Sequence, residues 1–229
     1  MIILGLNAYH GDSSAAIIVD GKLIAAIEEE RIRRAKHWAG MPSESVNWCL
    51  SYTGIDIKDV DYIAISRNPF ARIHKKLWCV LAKKHNADFL KGRLNNLNRI
   101  GSVKKDLALG IARPVTDIRA KIMMVEHHRA HLASAFLVSP FKDAAAVSID
   151  GFGDFVSTLT AIGKNKKIHP IARVEFPHSL GTFYTAMTQF LGFWNYGDEY
   201  KVMGLSAFGS PIYADRLRKV VRIKSNGLF

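Results

Sequence analysis

His127 and His131 are four residues apart, and on a helix that spacing puts two imidazoles on one face, within reach of a single metal ion. His128 and His131, three apart, make a less favourable second pairing. Nine histidines in 229 residues make one such pair unsurprising, so a surface or capping role is the plain alternative. Asp150 shifts that balance. It ends the apolar run that follows, and a strand there carries a carboxylate toward the same place. Two imidazoles and a carboxylate, with positions left open for substrate, suit Fe(II) or a similar divalent ion.

A second set of residues points to phosphate. The polar stretch Asn7-Ala8-Tyr9-His10-Gly11-Asp12-Ser13-Ser14 reads as a turn, and turns of this composition aim backbone N–H groups and hydroxyls at an anion. Its candidate ligand-binding residues are His10 and Asp12. In Asp150-Gly151-Phe152-Gly153-Asp154, Gly151 and Gly153 read as left-handed hairpin glycines that let the backbone approach a phosphate closely. Lys36 lies in a polar loop and is either a surface lysine or a phosphate-binding cation. Glu28, Glu29 and Glu30 read as a solvated strand end. The chain has no Gly-x-x-x-x-Gly-Lys-Ser/Thr loop, no Gly-x-Gly-x-x-Gly after a strand and no Gly-x-Ser-x-Gly elbow, which excludes Walker-type NTPases, dinucleotide enzymes of the usual fingerprint and α/β-hydrolases.

The elements that must position these groups follow from periodicity. Ile2–Leu6, Ala15–Val19 and Leu23–Ile27 predict a three-strand meander, its second turn formed by Asp20-Gly21. A helix then runs from Ser43, taken as the N-cap after Pro42, to Gly54, with Val46, Cys49, Leu50 and Thr53 inward. Asp61–Ser66 and Lys121–Val125 read as strands. The helix that follows carries Leu132, Ala135 and Phe136 inward and stops before Pro140. At Ala144 the opening layout returns, with strands over Ala144–Ile149, Val156–Ile162 and Ile168–Glu175, then a helix around Ser179–Leu191. The fold class is α/β, with duplicated actin-like lobes of meander plus helix, residues 1–140 and 141–229. On this reading the second lobe is incomplete, and the chain is the amino-terminal piece of something larger.

Composition excludes other classes. With 48% hydrophobic and 23% charged residues the chain can bury a core and is not disordered. Its apolar runs are well short of the ~20 residues a membrane span needs. Met1–Asn7 lacks a basic leader and reads as a core strand; Cys49 and Cys79 give no disulfide framework, and the expected setting is cytoplasmic. The net charge is +12, and the segment Arg67–Val125 holds fourteen Lys/Arg against three Asp/Glu. Lys75-Lys76-Leu77-Trp78-Cys79-Val80-Leu81-Ala82-Lys83-Lys84 reads as a helix with one basic and one apolar face.

Five stretches resemble the O-carbamoyltransferase family of nodulation-factor and antibiotic biosynthesis. They are Leu4-Gly5-Leu6-Asn7 through Ser14-Ala15-Ala16; Glu28-Glu29-Glu30-Arg31 through Lys36-His37; His127-His128-Arg129-Ala130-His131-Leu132-Ala133-Ser134-Ala135; Ser148-Ile149-Asp150-Gly151-Phe152-Gly153-Asp154; and Lys201-Val202-Met203-Gly204-Leu205. The resemblance implies an amino-terminal domain similar to the tRNA threonylcarbamoyl-transfer proteins. It implies iron held by His127, His131, Asp150 and a later aspartate that has no counterpart here. It implies that ATP and carbamoyl phosphate form a carbamoyl-adenylate, which carbamoylates a hydroxyl of a sugar or other small natural product. The adenylate chemistry is implied to belong largely to a carboxy-terminal domain, in the same or a partner chain. Lys36 and a histidine of the first turn are implied to touch the ligand; counted without gaps from Lys36, that histidine falls on Gly11, one residue after His10. The basic segment 67–119 then reads as an insertion on the first lobe, where an anionic acceptor is the expected ligand. Two rivals stand beside this reading: an actin-like ATPase or kinase that binds ATP without His127 or His131, and a non-catalytic basic module whose nucleic-acid affinity falls steeply with salt.

Overall fold

The computed structural model describes residues 1–82, 102–225 and 228–229, which form two compact units, Met1–Glu126 and His127–Phe229. The central part of the basic segment, residues 83–101, lies outside the described residues.

In the first unit β1 (Ile2–Asn7), β2 (Ser14–Val19) and β3 (Lys22–Glu28) form the expected antiparallel meander. On the other side of β1, β4 (Tyr62–Ile65) pairs in parallel and β5 (Lys121–Met124) adds beyond it, giving the order β3-β2-β1-β4-β5. Alternate side chains face inward, as a strand period of two requires: Leu4, Leu6, Ile63 and Ile65 are all buried. The Asp20-Gly21 turn has both residues left-handed, φ 48° and 79°, the twist that a two-residue hairpin needs.

The short helix α1 (Glu29–Arg33) leads to α2 (Ser43–Thr53), which lays Val46 and Cys49 on β2 and β3 and ends at left-handed Gly54. Ser43 is the first helical residue and not the N-cap; Pro42 holds that position and offers no capping oxygen. The cap comes from far upstream. Glu29 has no exposed surface, and its carboxylate accepts hydrogen bonds from the backbone N–H of Glu44 at 3.1 Å and of Ser45 at 2.8 Å. The expected solvated end therefore holds for Glu28 but not for Glu29, whose charge the helix terminus draws inward. Helices α3 (Ile73–Ala82) and α4 (Val103–Gly110) follow, α4 burying Val103, Leu107 and Ala108. Part of the basic excess is paired: Arg72 with Glu126 at 2.8 Å, and Arg113 with Asp56 and Asp117 at 3.0 and 3.1 Å.

The second unit repeats the meander-plus-helix layout. Helix α5 (His127–Phe136) lies on the antiparallel sheet β6 (Asp143–Gly153), β7 (Val156–Lys164) and β8 (Lys167–Glu175). Then come α6 (Leu180–Phe190), α7 (Glu199–Ser206) and α8 (Ala214–Leu217). Leu132 and Phe136 are buried as expected, whereas Ala135 is exposed. Ser179 caps α6, accepting from Thr182 N–H at 3.0 Å. The turn expected at 150–154 is displaced: β6 runs on through a register shift to Gly153, and the left-handed pair is Asp154 and Phe155, φ 51° and 75°. Among the described residues no helix is long and apolar enough to cross a membrane.

Candidate metal centre

Helix α5 begins against the end of β6. The His127 N–H donates to Asp154 Oδ2 at 2.8 Å, so the residue that turns the hairpin also anchors the helix start, where a carboxylate is favoured. One helical turn then separates His127 from His131. The His127 Nε2 lies 2.8 Å from Asp150 Oδ2, the His131 Nε2 lies 3.4 Å from the same oxygen, and the two Nε2 atoms are 3.0 Å apart. Three donor atoms from two elements thus converge. Side-chain exposure rises from 15% at His127 through 40% at Asp150 to 50% at His131, so the cluster opens to solvent on the His131 side.

Hydrogen bonds from His127 and His131 hold the Asp150 carboxyl well below the usual carboxylate range, and the Gly151 N–H on Oδ1 at 2.6 Å adds to them. Asp150 is therefore an anion throughout the neutral range, as a metal ligand must be. The donor set, two imidazoles and one ionised carboxylate with a solvent-facing side, fits a divalent transition ion.

Gly153 acts here through closeness and not through φ, whereas a side chain on Gly151 would meet nothing. A Cβ on Gly153 would lie 2.0 Å from the His127 ring, so only glycine lets that imidazole lie across the strand. Gly151 and Gly153 thus flank the cluster without the left-handed backbone expected of them.

His128 is not a ligand. Fully buried, its ring is bonded at both nitrogens, to Ser148 Oγ at 2.8 Å and the Val156 carbonyl at 2.9 Å. The carbonyl can only accept, so Nε2 carries a proton and Nδ1 accepts from the serine. Burial holds its pKa below the ordinary value. The pairing of His128 with His131 is thereby overturned, and the signal was present in the sequence: His128 falls on the same stripe as Leu132 and Phe136.

In the first unit, the turn between β1 and β2 is stitched to the loop 36–40. Ser13 Oγ donates to the carbonyls of His10 and Gly40, each at 3.0 Å, and is fully buried, so this hydroxyl braces the turn and faces no ligand. His10 Nδ1 lies 3.0 Å from the Gly11 carbonyl. Asp12, left-handed at φ 62°, places Oδ1 2.8 Å from His37 Nδ1, a contact that sequence reasoning did not single out. Lys36, next to His37, is exposed.

Residues 2–226 match the family described as carbamoyltransferase N-terminus. The chain belongs to that family. The resemblance drawn from five stretches of sequence therefore holds. The chain is 36% identical over 234 residues to an uncharacterized protein of Synechocystis, covering 99% of this chain and 38% of that one. Nodulation protein NolNO of Sinorhizobium fredii is 34% identical over 223 residues, covering 96% of this chain and 31% of its own. The chain thus spans about a third of the length of these relatives. Among solved structures, YeaZ from Pseudomonas aeruginosa aligns with a TM-score of 0.40 at 16% identity, covering 77% of this chain and 69% of that one.

Proposed function

We propose that this chain is the metal- and ligand-binding amino-terminal part of an ATP-dependent carbamoyltransferase, which moves a carbamoyl group from carbamoyl phosphate, by way of a carbamoyl-adenylate, to a hydroxyl of a sugar or other small acceptor. The observation that carries it is the convergence of His127, His131 and Asp150 in a chain of the carbamoyltransferase family. His127, His131 and Asp150 would hold a divalent ion such as Fe(II). Bound there, the ion supplies Lewis acidity toward a carbonyl oxygen.

The protein's own part is orientation and charge. Asp150 stays ionised beside two imidazoles, and Asp154 fixes where the helix bearing them begins. Gly153 leaves room for the His127 ring. Lys36, exposed and cationic, is assigned to the anionic end of carbamoyl phosphate or the adenylate, where charge collects as the leaving group departs. The relatives' greater length supports placing the adenylate chemistry in polypeptide beyond this segment.

The test is metal content and carbamoyl transfer, measured on the full-length protein with ATP, carbamoyl phosphate and a panel of hydroxyl acceptors. His127→Ala and Asp150→Ala are expected to lose the stoichiometric metal and to lower transfer by at least about a hundred-fold. Lys36→Ala should weaken carbamoyl-phosphate or nucleotide binding while the fold stays intact. Unchanged metal content in both ligand variants would overturn the site. ATP hydrolysis without any carbamoyl transfer, indifferent to His127, would favour the plain ATPase reading.

A further inference from the structure

The first unit holds a second group of metal-type donors that the reaction above does not use. Asp12 comes from the β1–β2 turn, Glu30 from α1 and His37 from the loop after it. One carboxylate oxygen each of Asp12 and Glu30 and one ring nitrogen of His37 lie within 4.8 Å of one another, and His37 Nδ1 is 2.8 Å from Asp12 Oδ1. Backbone contacts hold each in place. Asn7 Nδ2 donates to the Asp12 carbonyl at 2.9 Å. The Ser13 N–H bonds the Trp38 carbonyl at 3.1 Å, and the Tyr9 N–H bonds the Gly40 carbonyl at 2.9 Å, which ties the turn to the loop. The His37 N–H donates to Glu30 Oε2 at 3.0 Å.

The electrostatics call for a cation. Two carboxylates face one imidazole, a formal charge of −2 while that ring is neutral. Near them, Arg31 Nη2 stands 3.8 Å from Glu30 Oε1 on a side chain that is 67% exposed. An exposed pair at that distance contributes little. A divalent ion among the three donors neutralises both carboxylates at once and takes the imidazole as its third ligand. Asp12 and Glu30 also sit poorly with a turn expected to meet phosphate, since carboxylate repels phosphate unless a cation lies between them.

We propose that Asp12, Glu30 and His37 form a second divalent-cation site, distinct in ligand type from the one at His127, His131 and Asp150. Two carboxylate oxygens and one imidazole favour a hard ion such as Mn²⁺ or Mg²⁺, where two imidazoles and one carboxylate favour Fe(II) or Zn²⁺. The remaining positions on such an ion accept phosphate oxygens. That use rests on the carbamoyltransferase reading; the ion itself does not.

Mn²⁺ alone is the probe. The chain is stripped with chelator and titrated with MnCl₂, and the signal of the free aqua ion is followed by electron paramagnetic resonance. Asp12→Asn keeps a residue at home in the left-handed backbone, and Glu30→Gln keeps the acceptor for the His37 N–H. Each is expected to abolish one equivalent of bound Mn²⁺ that His127→Ala leaves in place. A wild-type chain that binds a single equivalent, removed by Asp12→Asn and untouched by His127→Ala, still supports this site while counting against the other. Either no Mn²⁺ bound, or binding that survives intact in both Asp12→Asn and Glu30→Gln, overturns it and leaves Asp12 and His37 a hydrogen-bonded pair. Far-UV circular dichroism reports folding; if one variant fails to fold, the other and His37→Gln decide.

Discussion

Glu29 sits at the meeting point of a strand end and a helix start, and its carboxylate is met by donors on both oxygens. Arg33 Nε approaches Oε1 at 2.6 Å, and the backbone N–H groups of Glu44 and Ser45 donate to Oε1 and Oε2. Burial alone would raise this carboxyl; the hydrogen bonds from Arg33, Ser45 and Glu44 outweigh it and leave it below the ordinary carboxylate range. Glu29→Gln keeps the shape but replaces an anion with an amide whose NH₂ faces donors. Stability should fall by about 3 kcal/mol, measured by equilibrium urea unfolding. A loss under about 1 kcal/mol would mean that the capping network carries little weight. Nothing in a run of three glutamates marks the middle one as buried; that follows only once α1 and α2 are placed side by side. Cys49 is the opposite case, legible from helical spacing alone. It has no exposed surface, and burial pushes its thiol up to about 11. The thiolate is the nucleophile, so Cys49 in the native chain should resist iodoacetamide at pH 8 and react once the chain is unfolded, as read by peptide mass mapping.

At the scale of elements, the helix α6 approaches β6 so closely that Gly181 has no room for a side chain. A Cβ there would lie 2.5 Å from the backbone carbon of Asp150 and from the Gly151 nitrogen. Two effects oppose each other in Gly181→Ala. Helix propensity favours alanine by about 1 kcal/mol. Overlap with main-chain atoms, which cannot rotate away, costs about 1–3 kcal/mol or more and shifts the peptide that carries Asp150. The clash should win: the melting temperature should drop and metal affinity at Asp150 should weaken with it. A rise in melting temperature would mean that α6 does not rest on that peptide. The contact explains what the sequence left hidden at Asp150-Gly151-Phe152-Gly153-Asp154. Meanders, the Asp20-Gly21 turn and the spacing of His127 and His131 are local patterns, and local patterns can be read directly. Gly153 answers to a histidine and Gly181 to a strand that are distant in sequence, so turn chemistry misassigned Gly153, and β6 runs three residues past Asp150, where the apolar run had been expected to end.

On the scale of the whole molecule, the same meander is used twice under different conditions. In the first unit β1 lies inside its sheet, with β2 antiparallel on one side and β4 parallel on the other. Its core gathers Leu4, Leu6, Ile17, Val46, Ile63 and Leu107, all buried. In the second unit, among the described residues, β6 has a sheet neighbour only at β7, and the buried cluster beneath consists of Leu132, Leu159 and Ala161. Val147 and Ile149 of β6 are 59% and 56% exposed, so much of that strand's apolar surface contributes nothing to stability. Amide protection follows the depth of burial and the pairing of both strand edges. Hydrogen exchange of the metal-free 229-residue chain should therefore be slower in Ile2–Asn7 than in Asp143–Gly153, by about a hundred-fold at the best-protected amides. Equal protection would mean that the two units open in one cooperative step, and a reversed order would mean that the first unit's larger core is not its stabilising element.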